Sequence, residues 1–248
     1  MKHKTGFTLS EVLITLGIIG IVAAMTLPTL IQKQQEKITV TKLKKIYNVL
    51  SQSYMSAIEQ YGTPDLWGFA NRDAGAENEE DVDYIATNAN IVKNIMFAQT
   101  KNIKVCDKAS KKTNCGLADK YYYEGGSLVT EFNSKVSSLT LADGTGILIL
   151  INSGNCNDNR GSGKHLAHTC SWIFADINGA NKPNTLGRDM FGFYLTKYGI
   201  IPEGTQNETY HPFGTNSGHG RTAWVIIHEN MDYLHCNGLS WNGKTKCK

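Results

Sequence analysis

The stretch KTGFTLSEVLITLGIIGIVAAMTLPTL, from Lys4 to Leu30, decides how the rest of the chain is organised. Lys2, His3 and Lys4 precede Gly6, and Phe7 opens an apolar run broken by a single carboxylate, Glu11. From Val12 to Gln32 there is no charge over 21 residues. At about 1.5 Å per residue, a helix of that length spans the roughly 30 Å hydrocarbon core of a bilayer. A carboxylate within such a segment costs about 2.5–3.5 kcal/mol on insertion scales, so Glu11 is expected to have a cationic partner.

The order GFTLSEVL followed by an uncharged helix resembles the type III signal of the type IV pilin and type II secretion pseudopilin superfamily. The resemblance implies that a prepilin peptidase cuts between Gly6 and Phe7 and methylates the new amine of Phe7. Residues 1–6 are then a leader, and 7–30 the transmembrane and polymerisation segment. It also implies that Glu11 meets the Phe7 amine of a neighbouring subunit and so sets the axial stagger of a filament. Pro28 stands at the spacing of a pilin proline, ahead of which the helix can lose its form, here over Gly20–Pro28. An ordinary secretory signal would use Val22-Ala23-Ala24 as its cleavage site, but Glu11 would interrupt it where it should be most apolar.

Outward from this segment, composition bounds the remainder. The 248 residues suit one compact domain with an appendage. The first six residues hold two of the 25 Lys and Arg and none of the 22 Asp and Glu, leaving a net charge of +1 beyond them. Bulk charge therefore gives no argument for a nucleic-acid partner. Lysines before the apolar span and six cysteines after it predict an amino terminus inside the bacterial inner membrane and an exported, disulfide-bonded remainder.

Leu43, Ile46, Tyr47, Leu50, Tyr54, Ala57, Ile58 and Tyr61 recur at spacings of three and four, which predicts one buried helix face. Lys37, Lys42, Lys44 and Lys45 lie largely off that stripe, and Gly62 and Pro64 end the helix. Residues 7–62 are thus expected to form one long, bent helix, and 63–248 a globular head. Trp67 and Phe69 are expected to anchor a polar loop, and Ile85, Ala89, Val92, Ile95 and Met96 to mark a shorter helix. Then the period changes. Residues 138–141 and 147–150 flank Asp143-Gly144, a hairpin-turn dipeptide. Residues 171–175 and 191–195 read as two further strands, and 223–227 as either a strand or a short helix. The predicted class is α+β, pilin-like: a long helix on a small, mainly antiparallel sheet.

Chemistry-bearing candidates are few. Asp176, Asn178, Asn181 and Asp189, with Asn184, gather oxygen donors in one inter-strand loop, and calcium takes six to eight oxygens. The spacing departs from an EF-hand, with Gly179 at the fourth position instead of the sixth, and a self-bonded Asx turn is the competing expectation. Some pseudopilins and related pilin-like subunits are similar in holding calcium in such a loop. Seven histidines raise zinc, above all His165, His168, His211 and His219, but without HExxH or paired CxxC they are expected to be surface loop residues. Gly161-Ser162-Gly163-Lys164 is not a phosphate loop, because Asp158 replaces its first glycine and His165 its hydroxyl residue. The lysine-rich loop between Cys106 and Cys115 is expected to be solvated. A nearest-neighbour scheme pairs Cys106 with Cys115, Cys156 with Cys170 and Cys236 with Cys247, among 15 arrangements.

The resemblance implies a non-enzymatic filament subunit whose partners are the prepilin peptidase, other pilin or pseudopilin subunits and an inner-membrane assembly platform. The competing expectation is a membrane-anchored extracytoplasmic binding module that never polymerises.

Overall fold

The computed structural model describes residues 8–70, 82–100, 103–106, 109–134 and 136–247. The chain divides into two compact units, Met1–Thr39 and Val40–Lys248. Helix α1, Leu9–Tyr61, begins in the first and ends in the second, and it continues unbroken through Pro28.

In the first unit the apolar side chains face outward. Leu13, Ile14, Leu16, Ile18, Ile19, Ile21, Leu30 and Ile31 are all more than half exposed in the isolated chain. This part of α1 is long and apolar enough to cross a membrane.

In the second unit the helical stripe turns inward. Leu43, Ile46, Leu50, Tyr54 and Ala57 are buried. Tyr47 stacks on Phe193 with ring centroids 6.0 Å apart, and the Tyr54 hydroxyl donates to the Lys197 carbonyl at 2.9 Å. Lys45 pairs with Asp143 at 2.6 Å and Lys44 pairs with Glu229, so two stem lysines reach the rim of the head. The helix ends where the sequence predicts, at Gly62, whose positive φ of 74° suits glycine.

Beyond α1 come α2, Val82–Ile91, continued by a π-helical turn over Val92–Met96; strand β1, Lys104–Cys106; and a short helix α3, Glu131–Ser134. Strands β2, Ser137–Thr140, β3, Gly146–Ile151, β4, Thr169–Asp176, β5, Met190–Thr196, and β6, Gly199–Pro202, precede helix α4, Thr222–His228. Among the described residues the six strands form one sheet in chain order, every neighbouring pair antiparallel. Its edges are short: β1 has three residues, and β6 closes on Pro202.

Alternation along the central strands supplies two cores. Ile147, Ile149, Ile151, Ile173, Phe191, Phe193 and Leu195 join the stripe of α1 on one face. Leu148, Leu150, Phe174 and Met190 point the other way, to Tyr121, Phe132 and Leu186. Strand β3 is buried along its whole length for this reason, as its aliphatic run predicts. Strands β1 and β6 lie outside the sequence expectations, and the run at 223–227 proves to be the helix α4.

Candidate functional site

The helix start is built by two residues of the signal. The Thr8 backbone N–H and its hydroxyl each donate to Glu11 Oε2 at 2.8 Å, and the Glu11 N–H donates back to Thr8 Oγ1 at 3.2 Å. This is the reciprocal capping box, worth about 1 kcal/mol to a helix end. Gly6 and Phe7, the expected processing residues, lie outside the described residues.

The Asp176–Asp189 loop joins β4 to β5. The Tyr121 hydroxyl donates to Asp176 Oδ2 at 2.8 Å, and the Asn178 N–H donates to Asp176 Oδ1 at 3.2 Å. Asp189 accepts the N–H groups of Asn184 at 2.8 Å and Thr185 at 2.7 Å, and the Asn178 amide nitrogen at 3.1 Å. Asn181 donates to the Asn178 carbonyl at 2.7 Å. Burial pushes Asp176 up to about 7, against the Tyr121 bond and with help from the neighbouring Asp189, which burial also raises. All four carboxylate oxygens thus accept protein donors, which a calcium ion would have to displace. As folded, the residues fit a self-bonded turn better than an ion cage.

The histidines need a correction. His165, half-buried, and His168, exposed, edge onto Tyr198 with centroids 5.9 and 5.6 Å from it, but His219 is buried and His211 half-buried. Both are drawn in by Glu203, at the end of β6, which is 1% exposed. Its Oε1 lies 2.7 Å from His211 Nδ1 and 2.9 Å from His219 Nδ1. The two imidazoles stack with centroids 3.9 Å apart, and Trp172 stacks on His211 at 5.2 Å. Glu208, also buried, accepts the Gly204 N–H at 2.5 Å, the His211 N–H at 2.9 Å and the Tyr194 hydroxyl. Burial and the adjacent Glu203 push Glu208 up to about 7. For Glu203 burial acts upward too, but the two imidazoles outweigh it and hold the carboxyl well below its usual range.

The segment 203–221 closes on itself so tightly that two backbones touch. Gly204 has a φ of 87°, and a Cβ there would lie 1.9 Å from the Gly220 carbonyl oxygen. No regular period marks this loop, which is why sequence reasoning missed Glu203 and Glu208. Its one legible signal is the glycine density, Gly204, Gly214, Gly218 and Gly220, around two histidines.

Disulfides join Cys106 to Cys115, Cys156 to Cys170 and Cys236 to Cys247. Within the first of these loops Lys112 is only 2% exposed, so the expectation of a wholly solvated cationic loop needs correcting. Burial lowers its ammonium's pKa, partly offset by Asp119.

Residues 1–27 match the sequence model of the prokaryotic N-terminal methylation motif, so the chain carries the prepilin-type signal of type IV pilins and pseudopilins. With the long amino-terminal helix and the antiparallel sheet, that signal fits a pilin-like or pseudopilin subunit. Residues 29–223 match the model described as a family of unknown function, DUF6613, and the chain belongs to that family. No curated protein and no solved structure matches it.

Proposed function

We propose that this protein is a structural, non-enzymatic subunit of a type IV pilus or a type II secretion pseudopilus. It is made as a prepilin, cut between Gly6 and Phe7 by a prepilin peptidase and methylated on the Phe7 amine. The segment 7–30 holds it in the inner membrane, amino terminus inside, until an assembly platform draws it into a filament with its fellow subunits. The observation that carries this reading is the methylation motif with Glu11 as the lone carboxylate ahead of an outward-facing apolar helix. A carboxylate so costly in lipid needs a partner, and the amine created by cleavage is the nearest cation of the signal itself.

Intact-mass measurement with amino-terminal sequencing of the membrane-extracted protein tests it. The expected product begins at methylated Phe7, and Gly6 replaced by a bulky residue leaves the full-length chain. A mature start at Met25 would instead mark ordinary signal-peptidase cleavage and sink the reading.

A further inference from the structure

We propose that Glu203, His211 and His219 form a binding site for a zinc-class divalent metal ion in the head. Their ligand atoms, a carboxylate oxygen and one nitrogen from each imidazole, all lie within 4.8 Å of one another. Carboxylate and imidazole are the donor types that zinc takes, at about 2.0–2.2 Å.

Charge balance points the same way. Glu203 and Glu208 are buried together, 1% and 4% exposed. The guanidiniums nearby are committed elsewhere: Arg160 pairs with Asp158 between the rings of Trp172 and Tyr210, and Arg221 pairs with Glu124 at 2.8 Å. Two carboxylates buried in one low-dielectric pocket call for positive charge beside them, and Glu203 draws both imidazoles in to supply it. A divalent cation can take the place of the imidazole protons, since neutral imidazole is the form that ligates.

The geometry also states what must move. With bonds of about 2.0–2.1 Å, tetrahedral ligand atoms stand about 3.3 Å apart, so each imidazole nitrogen must draw back from Glu203 Oε1 by roughly half an ångström. The rings are stacked within 14° of parallel, and an ion in the plane of one lies out of the plane of the other. One ring therefore has to turn. His219 is locked in, with a side chain 8% exposed, whereas His211 is 19% exposed and lies on the outer side. His219 and Glu203 are accordingly the fixed ligands, and His211 is the one that swings onto the ion. Solvent then has access to the fourth position from the His211 side. The Glu208 carboxylate holds the His211 backbone N–H throughout and orients the loop.

The test uses the full chain in detergent, stripped with chelator and titrated with zinc chloride by calorimetry at pH 7.5. One zinc per chain is expected, with His211→Ala weakening binding by at least about tenfold and His168→Ala leaving it unchanged. Zinc-edge X-ray absorption on the wild-type protein provides a readout that does not depend on any variant folding, and two imidazole ligands are expected. No zinc uptake at micromolar concentration, an affinity indifferent to His211→Ala, or a coordination shell of oxygen alone would each overturn the site. In the first case the trio holds protons only. None of these outcomes bears on cleavage at Gly6 or on filament formation.

Discussion

Thr8 and Glu11 hold each other across the first turn of α1, the hydroxyl and N–H of one meeting the carboxylate of the other. Glu11 thus has two separable roles, as a helix cap and as a charge. Glutamine at that position keeps the cap, because its amide oxygen accepts the same bonds, but removes the charge. Glu11→Gln should therefore insert normally, leave the head folded and still abolish filaments, while Glu11→Asp gives an intermediate yield. The measurement is membrane-fraction abundance against sheared-filament yield. Wild-type filament yield from Glu11→Gln would show that the cap, not the charge, is what Glu11 supplies.

Leu50 is wholly buried where α1 packs on the sheet. Leu50→Ala removes about three methyl-sized groups from a filled core and should destabilise the head by about 3 kcal/mol. Denaturant unfolding followed by tryptophan fluorescence reads the change. A loss under about 1 kcal/mol would mean that this stretch of α1 is not seated as described.

Asp176 supplies a pH dependence of definite sign. Its folded-state value of about 7 lies above the roughly 3.9 of an unfolded chain. The folded state therefore holds this proton more tightly, and the associated stability is complete below about pH 4 and lost as pH rises through 7. The loss is on the order of 4 kcal/mol. In chelator, the melting temperature should be higher at pH 5 than at pH 8, and Asp176→Asn should shrink that difference. An unchanged difference in the variant would relocate the titration to another group.

The same loop gives a metal prediction. Because Asp176 and Asp189 already accept protein donors on every oxygen, millimolar calcium should leave the melting temperature where it was. A calcium-dependent rise that Asp189→Ala abolishes would reassign the loop as an ion site.

Gly204 sets the fourth expectation of the head. A methyl group there meets the Gly220 carbonyl in a backbone conformation that side chains disfavour, so Gly204→Ala should cost at least about 2 kcal/mol. Because Glu203 is its neighbour, the variant should also expose His219, which hydrogen exchange or histidine-selective modification detects. Wild-type stability would show that the two backbones can part without loss.

What the sequence disclosed follows from period and length. The stripe from Leu43 to Ile58 and the runs of β3, β4 and β5 repeat often enough to be legible, although Tyr61, expected on that stripe, is exposed. Strand β1 is three residues beside a lysine-rich loop, and β6 is four residues ending in proline, so neither offers a pattern to read. The buried histidines were hidden for a different reason. Glu203, His211 and His219 stand eight residues apart in an irregular loop, and only backbone closure at glycines brings them together. Burial of Lys112 is not legible in the lysine-rich loop, because composition describes a loop's average and not the side chain that a short disulfide loop turns inward.

The blunt edges of the sheet have a consequence for crowding. Wherever copies of a chain meet at high local concentration, an open strand edge invites a neighbour to add its own strand and aggregate. A three-residue edge at β1 and a proline at the end of β6 deny that template on both sides. The sheet of the head thus offers a neighbouring copy little edge to extend.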